Sequence, residues 1–205
     1  MNLIVLTPPP FLPVTLEEVY AHLRLDVEGS PPAHPLDSML ERYLRTATGE
    51  AEKIARRCFI QQRLRLTAAT FPKAGKGLEL LRPPLIRVEA VAYHDGDNNL
   101  VTLGAGDWYV TDDRVPQLRF VTGFGYPTPY DRPDALRIDY IAGYDPAGSP
   151  AVSQADYAGN VPDVVKDAIL LGVQLLHDNL TPDERAATER AREYLLSGER
   201  IFFTA

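Results

Sequence analysis

Apolar positions divide the chain into three stretches with different periods. Leu16, Val19, Tyr20 and Leu23 share one helical face, and the spacing predicts a short helix. Thr15 followed three residues later by Glu18 is a capping box that starts it. It ends near Leu25, because "VEGSPPAHP" holds Gly29 and prolines. A second, longer helix is predicted over "DSMLERYLRTATGEAEKIARRC". Its apolar stripe is Leu36, Met39, Leu40, Tyr43, Leu44, Ala47, Ala51, Ile54, Ala55 and Cys58. Arg56 and Arg57 stand at its C-terminal end, where cations suit the helix dipole.

From Gln61 the period falls to two. "RLRLTAA", "GLELLRPPL", "RVEAVAYHD", "LVTL", "DWYVTD", "PQLRFV" and "LRIDYIAGY" read as short strands separated by Gly, Pro and the turn "DGDNN". They predict a small antiparallel sheet or barrel. The helical period returns in "VVKDAILLGVQLLHDN". This segment is apolar round most of its circumference, with Lys166, Asp167, Gln174 and Asp178 on a narrow polar strip. Such a helix belongs at the centre of a helical core. Thr181, Pro182 and Glu184 open a last helix that runs to Ser197, with Gly198 as its stop. The expected fold is α+β, a helical-bundle core of about four helices interrupted by an antiparallel β insertion. Residues 1–60 and 155–205 form the helical domain, and 61–154 the insertion.

Composition narrows the chemistry. The chain has 205 residues, a net charge of −7 and a single cysteine, Cys58. One cysteine excludes an internal disulfide, and four scattered histidines offer no zinc spacing. No segment carries a basic excess, so no phosphate-gripping footprint is expected. No apolar run reaches membrane-spanning length. The start "MNLIVLTPPPFLP" lacks a basic flank and a cleavage site, and reads as mature chain. A helix-turn-helix needs its second helix after a short turn, and here a proline-rich loop intervenes.

Motifs for catalysis are missing too. "GAGDW" at 104–108 lacks the third glycine and the helix of a dinucleotide site. Cys58 falls on an apolar stripe, as a small hydrophobe does. His22 and His177 fall on predicted helices. The pairs Asp95 with Asp97 and Asp112 with Asp113 suit solvated turns. Trp108, Tyr109, Tyr126 and Tyr130 suit sheet packing, with an aromatic platform for a sugar as the alternative. Neither an enzyme nor a cofactor is expected. The tail "ERIFFTA" is unusual, because Ile201, Phe202 and Phe203 are adjacent and nearly terminal. Leaving such side chains in water costs about 1.5–3 kcal/mol each, so they fold back or dock on another chain.

Taken in order, several segments resemble one family. "PVTLEEVYAHLRLD" looks like the opening of the head–tail connector (adaptor) proteins of tailed bacteriophages. "AEKIARRCFIQQRLRL" is similar to that family's helix-to-strand passage. A Thr-Gly-Arg type stretch is usual there, and this chain has Arg56, Arg57 and Cys58. "LLRPPLIRVEAVAYHD" resembles its Pro-Pro strand, and "RPDALRIDYIAGY" followed by "VPDVVKDAILLGVQLLHDN" resembles it most. The β insertion corresponds to the longer form of the family, and the C-terminal part matches least.

The resemblance implies a structural virion subunit of the phage neck, assembled in the host cytoplasm. It implies a homo-oligomeric ring, commonly twelve-fold, beneath the portal protein. Such a ring extends the DNA channel and meets a stopper or tail-completion protein. It implies no catalysis, cofactor, metal or membrane. A ring subunit buries two different flanks, and Glu41, Arg42, Arg45, Glu50, Glu52 and Lys53 on the second helix offer both signs of charge. Ile201, Phe202 and Phe203 are the expected portal contact. Asp95, Asp97, Asp112 and Asp113 are expected to face passing genomic DNA and keep it from sticking.

Overall fold

A computed structural model describes residues 1–29, 32–146 and 153–203. Part of the proline loop (30–31), the end of the expected insertion (147–152) and residues 204–205 lie outside the described residues. The chain forms two compact units, one of strands and one of helices. The α+β class is therefore as expected.

The strand unit comprises Met1–Pro10, Gln61–Tyr144 and Phe203. Its larger sheet contains β1 (Asn2–Thr7), β2 (Gln62–Ala68), β8 (Leu136–Ala142), β4 (Leu85–His94) and β5 (Leu100–Thr102), in that spatial order and all antiparallel. A smaller antiparallel sheet has the order β3 (Leu78–Glu79), β7 (Gln117–Phe120), β6 (Trp108–Val110). No pairing closes either sheet into a barrel among the described residues.

Period-two alternation places Leu64 and Leu66 opposite Tyr140 and Ile138, and Val91 opposite Ile138. All five are buried, because side chains at i and i+2 share a face. On the other face Arg65 meets Asp139, with Nε and Nη2 donating to the two carboxylate oxygens at 2.6 and 2.7 Å. A bidentate, charge-assisted pair of this kind is how a sheet keeps a buried acid. β1 is the one strand not anticipated. After Asn2 its residues are β-branched or aliphatic without polar alternation, so the apolar patch at the start of the chain carries no period-two signal. It pairs with β2 and takes the first ten residues into the strand unit, away from the helical domain expected for 1–60.

The helical unit comprises Phe11–Ile60 and Asp145–Phe202. Its helices are α1 (Leu16–Leu23), α2 (Asp37–Ala55), α3 (Gln154–Ala158), α4 (Asp163–His177) and α5 (Pro182–Ser197). α4 touches α1, α2 and α5, and buries Val165, Ala168, Ile169 and Val173 completely. Its apolar surface is not wholly covered, since Leu176 is exposed. α3 adds a helix that the periodicity did not reveal; Ser153 and Asp156 form its capping box.

Both expected capping boxes form, at Thr15–Glu18 and Thr181–Glu184. α2 stops three residues earlier than its stripe suggests, because Arg56 adopts a left-handed conformation (φ 57°). Cys58 is buried beyond the helix end. The inward face of α2 is narrower than the stripe: Leu40, Leu44, Ala47, Ala51 and Ala55 are buried, while Leu36 is exposed.

Near the start of α2, the hydroxyl of buried Tyr20 donates to the Asp37 carboxylate. Burial, then the hydrogen bond to Asp37 and the negative charge it carries, push the phenol from its ordinary value near 10 up to about 12. The unfolded phenol ionises near pH 10, so this group's contribution to stability is complete below that pH. It is lost as pH rises towards 12. Thermal melts across that window are expected to fall more steeply for the wild type than for Tyr20→Phe; parallel curves would contradict the assignment.

Candidate docking groove

The last helix is held in an unusual way. "PDERAATERAREYLLS" has a strong start, with Thr181 as cap and Pro182 in the first turn. It has few apolar residues, so it cannot attach by an oily stripe. Most of its side chains are exposed; Arg192 and Leu196 are the buried ones. The Arg192 guanidinium reaches under the helix. Nη1 donates to Glu50 Oε2 at 2.9 Å, and Nη2 to the Ala47 carbonyl at 3.1 Å. It fits because residue 172 of α4 is glycine: a Cβ there would lie 3.1 Å from Arg192 Nε and 2.9 Å from the Ala47 Cβ.

Beyond α5 the chain turns back along the end of α2. The Glu199 carbonyl accepts from Arg57 Nε at 2.6 Å. The Ile201 N–H donates to the Ala55 carbonyl at 3.0 Å, and the Ile201 side chain is 1% exposed. α2, α5 and this returning segment enclose an open groove of about 980 Å³. Its α2 side carries Glu50, Lys53 and Ile54, followed by Arg56; its α5 side carries Arg190, Glu193, Tyr194 and Ser197. Arg200 and Phe202 complete it.

Two properties distinguish this groove. Tyr194 is 79% and Phe202 72% exposed, far more than an aromatic ring is normally left in water. The Arg200 guanidinium stacks over the Phe202 ring, 5.4 Å from its centre. The charge is also locally inverted. Lys53, Arg56, Arg190 and Arg200 have no carboxylate within ion-pair distance among the described residues, and Glu50 is engaged by Arg192. A basic, aromatic surface therefore sits on a chain of net charge −7.

The expected site residues separate accordingly. Of the tail trio, Ile201 folds back into the core of its own chain. Phe202 lines the groove, and Phe203 is half-buried and groups with the strand unit. Of the α2 set, Glu50 and Lys53 line the groove. Glu41 pairs with Arg45 at 3.5 Å, and Arg42 lies over Tyr43. Glu52 is turned to internal use: its carboxylate accepts the Phe59 N–H at 2.9 Å.

The four aspartates lie on two turns of the strand unit. Asp95 caps the turn between β4 and β5, accepting from the N–H groups of Asp97 and Asn99 at 3.0 and 2.9 Å. Asp97 is exposed on that turn, and Asp112 and Asp113 are exposed between β6 and β7. The four aromatics do not assemble a platform. Tyr126 packs with Phe71, Phe120 and Phe124, and no ring contact links Trp108, Tyr109 and Tyr130 among the described residues. Among those residues no group of three or more His, Cys, Asp or Glu could hold a metal, and no helix is long and apolar enough to cross a membrane.

Sequence reading missed Arg190, Tyr194 and Arg200. The one available signal was Tyr194, an aromatic on a helix otherwise built of charged and small residues.

No family model and no curated protein matches the sequence. Solved structures share its fold over the whole length. A chain of the virion of a native gene transfer agent (GTA) particle superposes with a TM-score of 0.71 at 20% identity, covering 100% of this chain and 98% of that one. A chain from the neck of an empty GTA particle, computed with C6 symmetry, gives 0.71 at 21% identity over the same shares. One from the neck of a native GTA particle, computed with C12 symmetry, gives 0.66 at 22%, again over 100% and 98%.

Proposed function

We propose that this chain is a structural subunit of the neck of a tailed-phage-like particle, a virion component that performs no reaction. The observation that carries the reading is the end-to-end fold likeness to chains from particle-neck structures, with no large element left over on either side. Symmetric necks among those structures support a homo-oligomeric ring, twelve-fold in the finer form of the proposal. In that form the ring lies beneath a portal protein and hands the DNA path to a stopper or tail-completion protein. The exposed turns with Asp97, Asp112 and Asp113 fit a path that repels DNA rather than holding it.

The groove fits the same role. An exposed aromatic pair rimmed by cations is an anchor for another protein chain: aromatic residues and arginine dominate binding energy at interfaces. Of the contact expected at Ile201, Phe202 and Phe203, the part kept here is a contact with another protein chain through Phe202, since Ile201 is occupied within its own chain.

The test is a double substitution, Tyr194→Ala with Phe202→Ala. Both side chains are largely exposed, so the melting temperature is expected to stay at the wild-type value. Incorporation into necks, measured by complementing particles that lack the chain, is expected to fall about tenfold or more. Wild-type incorporation by the double variant would remove the groove from the assembly.

A further inference from the structure

We infer that the groove is filled by a second copy of this chain, through the acidic loop Asp26-Val27-Glu28. The inference rests on the neck-subunit reading and names the partner of its docking groove.

Charge complementarity identifies the loop. An occupant of the groove must bring negative charge to Lys53, Arg56, Arg190 and Arg200, together with an apolar side chain for Tyr194 and Phe202. The large apolar residues exposed in the helical unit are Val27, Leu36, Leu176, Tyr194 and Phe202. Val27 alone has an acid on each side, Asp26 and Glu28, and both are exposed. The loop is braced: Glu28 and Ala33 exchange backbone hydrogen bonds at 2.9 and 3.3 Å. It therefore presents a formed knob, not a strand that must first be ordered.

The knob cannot reach the groove of its own chain. It is fixed at the N-terminal end of α2, where the Tyr20 hydroxyl and the His34 N–H both bond to Asp37. The groove lies at the other end, around Lys53. At 1.5 Å per residue the two are separated by about 24 Å along the helix axis. Two complementary patches a helix length apart on one body make a head-to-tail contact. Such a contact generates a closed ring when its rotation closes. The interface thus carries the direction of the ring.

Charge reversal tests this in the full-length chain. Arg190→Glu with Arg200→Glu reverses the groove, and Asp26→Lys with Glu28→Lys reverses the knob. Each pair alone is expected to weaken ring assembly, read by native mass spectrometry, by about tenfold or more. Mixing the two variants restores complementary charge at every contact of an alternating, even-numbered ring, so assembly returns. A chain carrying all four changes assembles by itself for the same reason.

A second measurement does not depend on charge. Val27→Cys with Tyr194→Cys is expected to give, on oxidation, a ladder of disulfide-linked dimers, trimers and higher species. Native Cys58 is buried and does not compete. A species that stops at the dimer overturns the head-to-tail contact. Loss of portal binding on groove reversal, with normal rings from both variants, overturns it in favour of the portal as occupant. If the wild-type chain neither forms rings nor joins necks, the neck-subunit reading itself has failed. If it does both and the knob variant behaves like wild type, this inference alone falls.

Discussion

Ile201→Ala is expected to lower the free energy of unfolding by about 2–5 kcal/mol, the range for removing the side chain of a buried isoleucine. The neighbouring Phe202→Ala is expected to change it by about 0.5 kcal/mol or less. Ordinarily a residue so near a chain end frays and contributes little. Here the backbone leading into the residue is tied down, by Arg57 to the Glu199 carbonyl and by the Ile201 N–H to Ala55. The side chain is 1% exposed, against 72% for Phe202.

Urea unfolding with an unchanged m-value would read the difference as a shift of midpoint. A wild-type midpoint for Ile201→Ala would mean that the segment after α5 is not anchored, and the groove would lose one wall. The contrast also decides how the tail should be probed. Deleting residues 199–205 removes a core residue together with a surface anchor, so loss of assembly would not separate the two. Point substitutions do.

Gly172→Leu is expected to destabilise the chain by about 3–5 kcal/mol. A first carbon at this position already meets the Ala47 Cβ at 2.9 Å and the Arg192 guanidinium at 3.1 Å. The Ala47 Cβ is fixed to the α2 backbone, so relief requires α2 and α4 to part. Overpacking of this kind costs about 1–3 kcal/mol. The leucine also evicts Arg192 from Glu50 and the Ala47 carbonyl, and a hydrogen bond to a charged group contributes about 1.5–3 kcal/mol. Gly172→Ala is expected to lose less, because better helix propensity returns up to about 1 kcal/mol. Loss of the Arg192 latch should free α5 first. Hydrogen exchange is therefore expected to rise over Pro182–Ser197 before it rises in α2. Wild-type stability for Gly172→Leu would show that the three helices do not meet this closely.

Legibility in the sequence followed how local each cause was. The boxes at Thr15–Glu18 and Thr181–Glu184 were readable because each is closed within four residues. The same box at Ser153–Asp156 gives no such signal, since α3 is too short to carry a helical period. Strands with polar alternation, such as β2 and β4, were readable at once. β1 was not, because "NLIVLT" has no alternation and becomes a strand only by pairing with β2. The end of α2 was misplaced by three residues: Cys58 continues the apolar stripe, while the left-handed turn at Arg56 is a backbone event that residue type does not announce. Half of the groove was in view as the odd tail and the charged face of α2. Arg190, Tyr194 and Arg200 were not, because nothing in a charged helix says which of its faces another helix leaves uncovered.

By itself, then, the sequence determined the α+β class, most element positions and their caps, the acidic balance, and the lack of any catalytic or metal-binding motif. These rest on periods, neighbours and counts, which a one-dimensional chain carries in full. Only the tertiary structure decided that Ile201 is core while Phe202 is surface, that Arg192 is buried over a glycine, and that an acidic chain holds a basic groove. Burial and local field depend on which distant segments come together, and here they are residues 47–57, 172 and 190–202. Long-range pairing brings them together, and no local pattern encodes it.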